Sequence, residues 1–154
     1  MEVQVIDIAE VHVAYLRYKG PFGAAIGAFW SEIFNPWRAA HGLERRVTYG
    51  VAQDDPCSTP AAECRYDACV EVDADYEVKP PVKLAQLAGG RYAVAAFRGT
   101  GADMPAAWTE FFGNWLPTSG LTLDGRPCFE RYGADHAADP QTGAFSCELC
   151  LPVK

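Results

Sequence analysis

The motifs of the first half of this chain recur in the same order in its second half, and this repetition limits the folds that the chain can adopt. All four tryptophans lie in two copies of one pattern, FWSEIFNPW at 29–37 and AWTEFFGNW at 107–115. Two further pairs of segments match at a slightly larger separation: VAYLRYKG (13–20) with VAAFRGTG (94–101), and DACVEV (67–72) with ELCLPV (148–153). Ordered self-similarity of this kind indicates homologous repeats. We place them at 1–78 and 82–154 of a single domain that spans residues 1–154.

Each repeat has the pattern of two strands, one helix and two further strands. Alternating, β-branched segments such as VQVIDI are typical of strands, whereas apolar residues at helical spacing indicate an amphipathic helix. The helical stripes are Ile26, Trp30, Ile33, Phe34 and Trp37 in the first repeat, and Met104, Trp108, Phe111, Phe112 and Trp115 in the second. Gly89 and Gly90 predict a two-residue hairpin turn in the second repeat. The pattern therefore predicts an α+β fold in which duplicated ββαββ modules supply eight antiparallel strands and two helices about a pseudo-twofold axis.

Tryptophan is the residue type that sets these stripes apart from ordinary core patterns. Aliphatic and aromatic residues at this spacing usually belong to the core, and we expect this of Ile26, Ile33, Met104 and Phe111. Tryptophan is rarely fully buried and often lines ligand cavities or interfaces. The four indoles are therefore either core residues or the walls of a binding site, and the spacing alone does not separate these alternatives.

The charge of the chain disfavours some classes of partner. The formal net charge is −7 and 49% of the residues are apolar. An acidic protein repels phosphate backbones, so we expect no direct binding to nucleic acid. The acidity suits cationic or neutral ligands, or it serves solubility alone.

No apolar run approaches the roughly 18–20 residues of a membrane helix, and the alternating, acidic N-terminus does not resemble a secretory signal. We therefore predict a cytoplasmic protein with no membrane partner.

The six cysteines do not form a recognisable metal motif. Cys147 and Cys150 are the only closely spaced pair, and the three histidines are scattered. A zinc site would need a second pair of ligands nearby, and residues three apart on a strand point to opposite faces. We predict no metal and no cofactor, and we expect the cysteines to be structural thiols.

Two acidic residues occupy matching positions in the repeats. Asp67 and Glu148 both interrupt apolar strands. Asp67 has the charged neighbours Arg65 and Glu71 on its own strand face, which favours a solvated position, whereas Glu148 has no charged neighbour nearby. A carboxylate surrounded by aromatic rings is a strong acceptor for a cation, because the rings add cation–π attraction. Alternation does not decide whether Asp67 faces the same space as Glu148.

Several segments together resemble the GyrI-like small-molecule-binding family, which also supplies the effector-binding domain of AraC-type and MerR-type regulators. The likeness covers essentially the whole chain and rests on VAYLRYKGPF, ECRYDACVEV, LAGGRYAVAAFRG, PCFERY and CELCLPV. It implies an aromatic groove between the two helices with a glutamate from the last strand at its base. The matching residues here are Glu148 for the acid, Trp30, Phe34, Trp108 and Phe112 for the walls, and Tyr18, Tyr66, Trp37 and Trp115 for additional support. The first strand begins close to residue 1, so the chain is expected to be a stand-alone domain without a DNA-binding module.

Three functions are compatible with this resemblance. The first is a binding module that captures hydrophobic, cationic or toxic compounds. The second is a hydrolase of cyclopropane-bearing or other electrophilic toxins, in which Glu148 would be the catalytic acid or base. The third is a protein that modulates DNA gyrase. Burial of the acid would serve a binder and an enzyme equally well, so the sequence does not choose between them.

Overall fold

The computed structural model describes residues 1–154 and contains eight strands and two long helices. The strands are β1 (Val3–Ile8), β2 (Val11–Lys19), β3 (Thr48–Ala52), β4 (Arg65–Glu71), β5 (Lys83–Leu87), β6 (Gly90–Gly99), β7 (Phe129–Tyr132) and β8 (Phe145–Pro152). The first helix has three consecutive segments, Ala24–Phe29, Trp30–Phe34 and Asn35–Ala40, and the second has Met104–Glu110, Phe111–Trp115 and Leu116–Ser119. Short 3₁₀ turns lie at Ala61–Glu63 and Gly101–Asp103. The predicted α+β class and the twofold ββαββ order are confirmed.

All eight strands form one antiparallel sheet whose order is symmetric about its centre. The order is β1-β6-β8-β7-β3-β4-β2-β5, so each strand of the first half has its counterpart at the same distance from the β7–β3 pair. This arrangement is the predicted pseudo-twofold symmetry. The repeat boundaries at 78 and 82 fall between β4 and β5 and remain a prediction.

The hairpin predicted at Gly89 and Gly90 is wrong, because β5 and β6 do not pair with each other. Strand β5 pairs with β2, and β6 pairs with β1 and β8. Five strands separate β5 from β6 in the sheet, yet only Ala88 and Gly89 connect them. The β1–β2 connection, Ala9 and Glu10, spans the same number of strands, so the sheet must curl strongly. A Cβ atom on Gly89 would lie 2.6 Å from the backbone nitrogen of Glu10, which shows how closely the two connections meet.

The curled sheet has apolar residues on both of its faces. The helix-covered face carries two clusters, one around Leu16, Phe34 and Val70 and the other around Phe97, Phe111 and Leu149. The helix-free face, which lies inside the curl, holds a third cluster that includes Tyr49, Tyr92, Phe129 and Cys150. Strict alternation along each strand distributes neighbouring residues between these two faces. The face on which a side chain lies therefore decides whether it lies beneath the helices or inside the curl of the sheet.

Both helices contain a π-helical turn, which changes the face that each residue presents. The π turns span Trp30–Phe34 and Phe111–Trp115, and in each case a proline follows shortly after the turn, at Pro36 and Pro117. Proline has no N–H group and its ring clashes with the carbonyl four residues earlier. A π turn accommodates that clash and adds one residue to the turn.

The π turns explain why part of the predicted core is wrong. Ile33 was expected to be buried but is 53% exposed, and Phe34 takes the inward position with no exposed surface. Phe111 is buried as expected, and Ile26 and Met104 are partly buried. The two π turns begin at Trp30 and at Phe111. Trp30 therefore corresponds in position to Phe111, although the tryptophan pattern matches it with Trp108.

Candidate functional site

The acidic residue buried beneath the helices is Glu130 on β7. This residue is 8% exposed, and its neighbour Tyr132 belongs to the helix-side core. The hydroxyl groups of Tyr132 and Tyr66 donate hydrogen bonds to Glu130 Oε1 at 2.9 Å and 3.2 Å. No cation pairs with this carboxyl group. Burial raises the pKa of Glu130 to about 7, an increase that the two tyrosine hydrogen bonds only partly oppose.

Trp30 connects Glu130 to the first helix. Its indole N–H donates to the hydroxyl of Tyr66 at 3.1 Å, so indole, phenol and carboxyl form a continuous chain of hydrogen bonds. The Trp30 ring also packs edge-on against Tyr132, with 5.8 Å between ring centroids. Trp30 contacts the core clusters of both halves and is partly exposed. We call the group Trp30, Tyr66, Glu130 and Tyr132 the Glu130 site.

Burial favours the hydroxyl form of both tyrosines in the Glu130 site. Desolvation, followed by the charge of Glu130, raises the pKa of Tyr66 well above its ordinary value. The same two causes, in the same order, raise the pKa of Tyr132. Both side chains therefore remain hydrogen-bond donors throughout the physiological range.

Further aromatic residues lie at the edges of the Glu130 site. Phe22 packs edge-on against Tyr66, with centroids 6.2 Å apart. The ring of His136 lies 4.8 Å from that of Tyr132 and 5.5 Å from that of Phe145. Partial burial is the main cause that lowers the pKa of His136. This histidine is therefore largely neutral at pH 7 and does not supply the missing counter-charge.

The residues predicted as groove walls occupy different environments. Trp30 and Tyr66 belong to the Glu130 site. Phe34 is fully buried and packs edge-on against Trp30, with 5.2 Å between centroids. Trp37 packs on the first-half core, Trp108 and Trp115 pack on the second-half core, and Phe112 is 38% exposed. Tyr18 lies beside Phe29 and donates to the carbonyl of Pro21.

The structure places the two predicted acids on the helix-free face, away from the aromatic residues of the helices. Glu148 lies between Cys147 and Leu149, which both point to the helices, so its own side chain points to the opposite face. That side chain is 45% exposed and pairs with Arg131 at 2.8 Å. The expectation that Glu148 lies at the base of the aromatic groove is thereby corrected. The acid that lies beneath the helices, bonded to Tyr66 and Tyr132, is Glu130.

Asp67 is a buried ion-pair residue on the same helix-free face. Its carboxylate accepts two hydrogen bonds from Arg17, at 2.7 and 2.9 Å, and one from Gln53 at 3.0 Å. Its side chain is only 5% exposed, although the sequence favoured a solvated position. Both of its oxygens are thus engaged within the protein, and it does not contribute to the Glu130 site.

All six cysteines are free thiols, and burial raises the pKa of Cys128 and Cys150 to about 12, so these thiols are poor nucleophiles. No helix combines the length and the hydropathy needed to cross a membrane.

A buried carboxyl group under aromatic rings, on a duplicated sheet-and-helix scaffold, is a candidate site for a small molecule. A family model supports this interpretation and makes it specific: the GyrI-like small molecule binding domain matches residues 1–154. The chain belongs to this family.

Known proteins match this chain over its full length. A protein named DNA gyrase inhibitor from Edwardsiella ictaluri (strain 93-146) is 33% identical over 159 residues, which covers 100% of this chain and 99% of the relative. The structure of SAV2435 bound to tetraphenylphosphonium has a TM-score of 0.68 at 18% identity and covers 100% of this chain and 94% of that one. The EcmrR C-terminal domain has a TM-score of 0.77 at 13% identity, with coverage of 99% and 97%. At these identities the two structures establish the fold.

Proposed function

We propose that this chain binds a hydrophobic cation at the Glu130 site and that the carboxylate of Glu130 supplies the negative charge. The observation that carries this proposal is a buried carboxyl group whose hydrogen-bond partners, Tyr66 and Tyr132, are both neutral. An ionised carboxylate without a cation is costly to bury. A bound cation would supply the counter-charge that the protein itself lacks.

The near-neutral pKa of Glu130 makes this site sensitive to the charge of its ligand. At about pH 7 the proton is held weakly, so a nearby positive charge would displace it and favour the ionised form. A neutral ligand gives no such gain. The site should therefore select cations over neutral molecules of the same shape.

The aromatic rings around Glu130 suit the other property of such a ligand. Trp30 and Tyr132 can each place a ring face against a cation, and contacts of this kind contribute on the order of 0.5–2 kcal/mol. Because Glu130 is buried, a ligand reaches it only when a covering side chain moves, and the partly exposed Trp30 is the best placed to do so. The tetraphenylphosphonium bound to SAV2435 is a hydrophobic cation of the proposed kind.

The other predicted wall residues take supporting roles in this proposal. We assign Trp108 and Phe112 to the outer wall on the second helix, because both are accessible to solvent. Phe34 is fully buried and would support Trp30 from behind rather than touch the ligand. Trp37, Trp115 and Tyr18 would stabilise the helices and strand that carry these residues.

A hydrolase is the second candidate, and the contact between Glu130 and Tyr132 favours it. A carboxyl group with a pKa of about 7 is well matched to general acid catalysis at neutral pH. The nearby hydroxyl groups could orient an electrophilic substrate such as a strained ring. The name of the Edwardsiella relative, DNA gyrase inhibitor, makes modulation of gyrase a third candidate.

Binding of tetraphenylphosphonium tests the proposal and separates it from the hydrolase. We expect saturable quenching of tryptophan fluorescence by this cation and much weaker quenching by neutral triphenylphosphine oxide. Equal affinity for the two compounds would contradict the proposal. In a parallel incubation with a cyclopropane-bearing electrophile, mass spectrometry would detect ring-opened product. Catalytic turnover that is lost in Glu130→Gln would instead support the hydrolase.

A further inference from the structure

A cavity separate from the Glu130 site lies inside the curl of the sheet, on the helix-free face. Its volume is about 430 Å³, which is within the range of small-molecule sites. Ala9 of the β1–β2 connection and the strand residues on either side of it, Ile8 and Val11, form one side, and Val47 adds to this apolar wall. The sheet itself separates this cavity from the Glu130 site.

The polar wall of the cavity carries a row of side chains across the central strands. Arg131 lies directly opposite Glu148 on β8 and directly opposite Tyr49 on β3. Arg131 Nε donates to Glu148 Oε1 at 2.8 Å, so these two charges form a pair. The hydroxyl of Tyr49 donates to Glu71 Oε2 at 3.0 Å.

Glu71 is the carboxylate in this wall that has no cation. It forms no ion pair within 4.0 Å, and Tyr49 is its side-chain hydrogen-bond donor. A smaller cavity of about 270 Å³ adjoins it and contains Arg45 and Arg46, but Arg46 is directed to Asp73 at 4.0 Å. With two carboxylates and one guanidinium, the main cavity has a net charge of −1.

We propose that this cavity is a second ligand site and that it takes a primary alkylammonium ion. The ammonium group would bind the free oxygen of Glu71, and the alkyl chain would lie against Ile8, Val11 and Val47. A carboxylate of the same length is disfavoured, because the charge of Arg131 is already offset by Glu148 while that of Glu71 is not. The ligand class thus follows from charge and shape, and it is independent of what binds at Glu130.

Binding of n-pentylammonium to the full chain, measured by calorimetry and by amide NMR shifts, tests this inference. We expect saturable binding with shifts at Val11, Val47 and Tyr49, and at least tenfold weaker binding of n-pentanol and of valerate, as expected when a charge-assisted hydrogen bond is lost. The absence of binding, or equal binding of the three compounds, would overturn the proposal.

Three variants locate the site. Glu71→Gln keeps an acceptor for Tyr49 and should weaken n-pentylammonium binding about tenfold or more. Glu77→Gln makes the same charge change outside the cavity and should leave binding unchanged. Ala9→Trp lies at the exposed rim of the cavity and should block binding without altering any charge. Loss of binding in Glu130→Gln together with retention in Glu71→Gln would show that the ammonium occupies the other site and would contradict the inference.

Discussion

Gly50 lies directly opposite Glu130 across the β3–β7 pair, and its missing side chain leaves the space that the Glu130 site occupies. A Cβ atom on Gly50 would lie 2.0 Å from the hydroxyl oxygen of Tyr66 and 3.0 Å from Glu130 Oε1. These two positions are equivalent about the pseudo-twofold axis. The symmetric scaffold therefore holds one acid, because the counterpart position has no side chain.

Replacement of Gly50 by alanine adds only one methyl group, but it should disturb the Glu130 site because no space is left for that group. Tyr66 is buried and cannot move without losing its hydrogen bonds to Trp30 and Glu130. We expect Gly50→Ala to lower the free energy of unfolding by about 1–3 kcal/mol, as overpacked sites do, and urea denaturation would measure this. Gly113→Ala is the control for the substitution itself: nothing lies within 4 Å of its Cβ position, and in a helix the change should not lower the free energy of unfolding. A destabilisation of Gly50→Ala no larger than that of this control would contradict the assigned packing.

The raised pKa of Glu130 should make the folded state less stable as the pH rises. The folded pKa is about 7, whereas the unfolded value is near 4.3. Below the unfolded value the carboxyl group is protonated in both states and the stability is fully present. Between the two values only the unfolded state ionises, so stability is lost until about pH 7. The total loss is on the order of 3 kcal/mol.

Comparison with Glu130→Gln isolates this effect from the other titrating groups. The free energy of unfolding of the wild type, measured in urea at several pH values, should fall relative to that of the variant between about pH 4 and pH 7. Parallel curves for the two proteins would mean that Glu130 ionises normally, and the buried position assigned to it would be wrong.

Removal of the charge from Asp67 should destabilise the protein more than removal of the charge from Glu148, the other acid of the helix-free face. Asp67 is nearly inaccessible and accepts three hydrogen bonds, two of them from Arg17. Asp67→Asn weakens these charge-assisted hydrogen bonds and should cost about 1.5–3 kcal/mol, because the Arg17 side chain that loses its partner is itself partly exposed. Glu148 is half-exposed, so Glu148→Gln should cost less than about 1 kcal/mol. Thermal unfolding of the two variants would test this, and equal destabilisation would contradict the burial of Asp67.

The sequence predicted the architecture well because the repeats carry independent copies of the same signals. Alternation in strands such as β8 correctly grouped Cys147 with Leu149 and placed Glu148 on the other face. It could not show which face the helices cover, since that depends on how strands from different halves join one curled sheet. The resemblance to the family implied an acid on the last strand, and alternation alone could not correct this. In the segment FERY the same alternation places Glu130 and Tyr132 on one face of the strand. This shared face was the available signal for the buried acid.

The two helical stripes are misaligned when they are matched by their tryptophans. The tryptophan pattern matches Trp30 with Trp108, whereas the prolines Pro36 and Pro117, and the π turns that precede them, match Trp30 with Phe111. A regular α-helical period contains no such turn, so it placed Ile33 inside the core. The positions of the prolines identify the structural equivalence, whereas residue similarity alone does not.

The affinity for tetraphenylphosphonium at two pH values tests the role of Glu130 most directly. Tryptophan fluorescence titrations would compare the wild type, Glu130→Gln and the charge-matched control Glu148→Gln at about pH 6 and pH 8, on either side of the Glu130 pKa. The wild type and Glu148→Gln should bind the cation about tenfold more tightly at the higher pH, because ionisation of Glu130 then needs no proton displacement. Glu130→Gln should bind weakly and equally at both. If Glu130→Gln retains the wild-type affinity while Glu148→Gln loses it, the buried acid is not the cation-binding group.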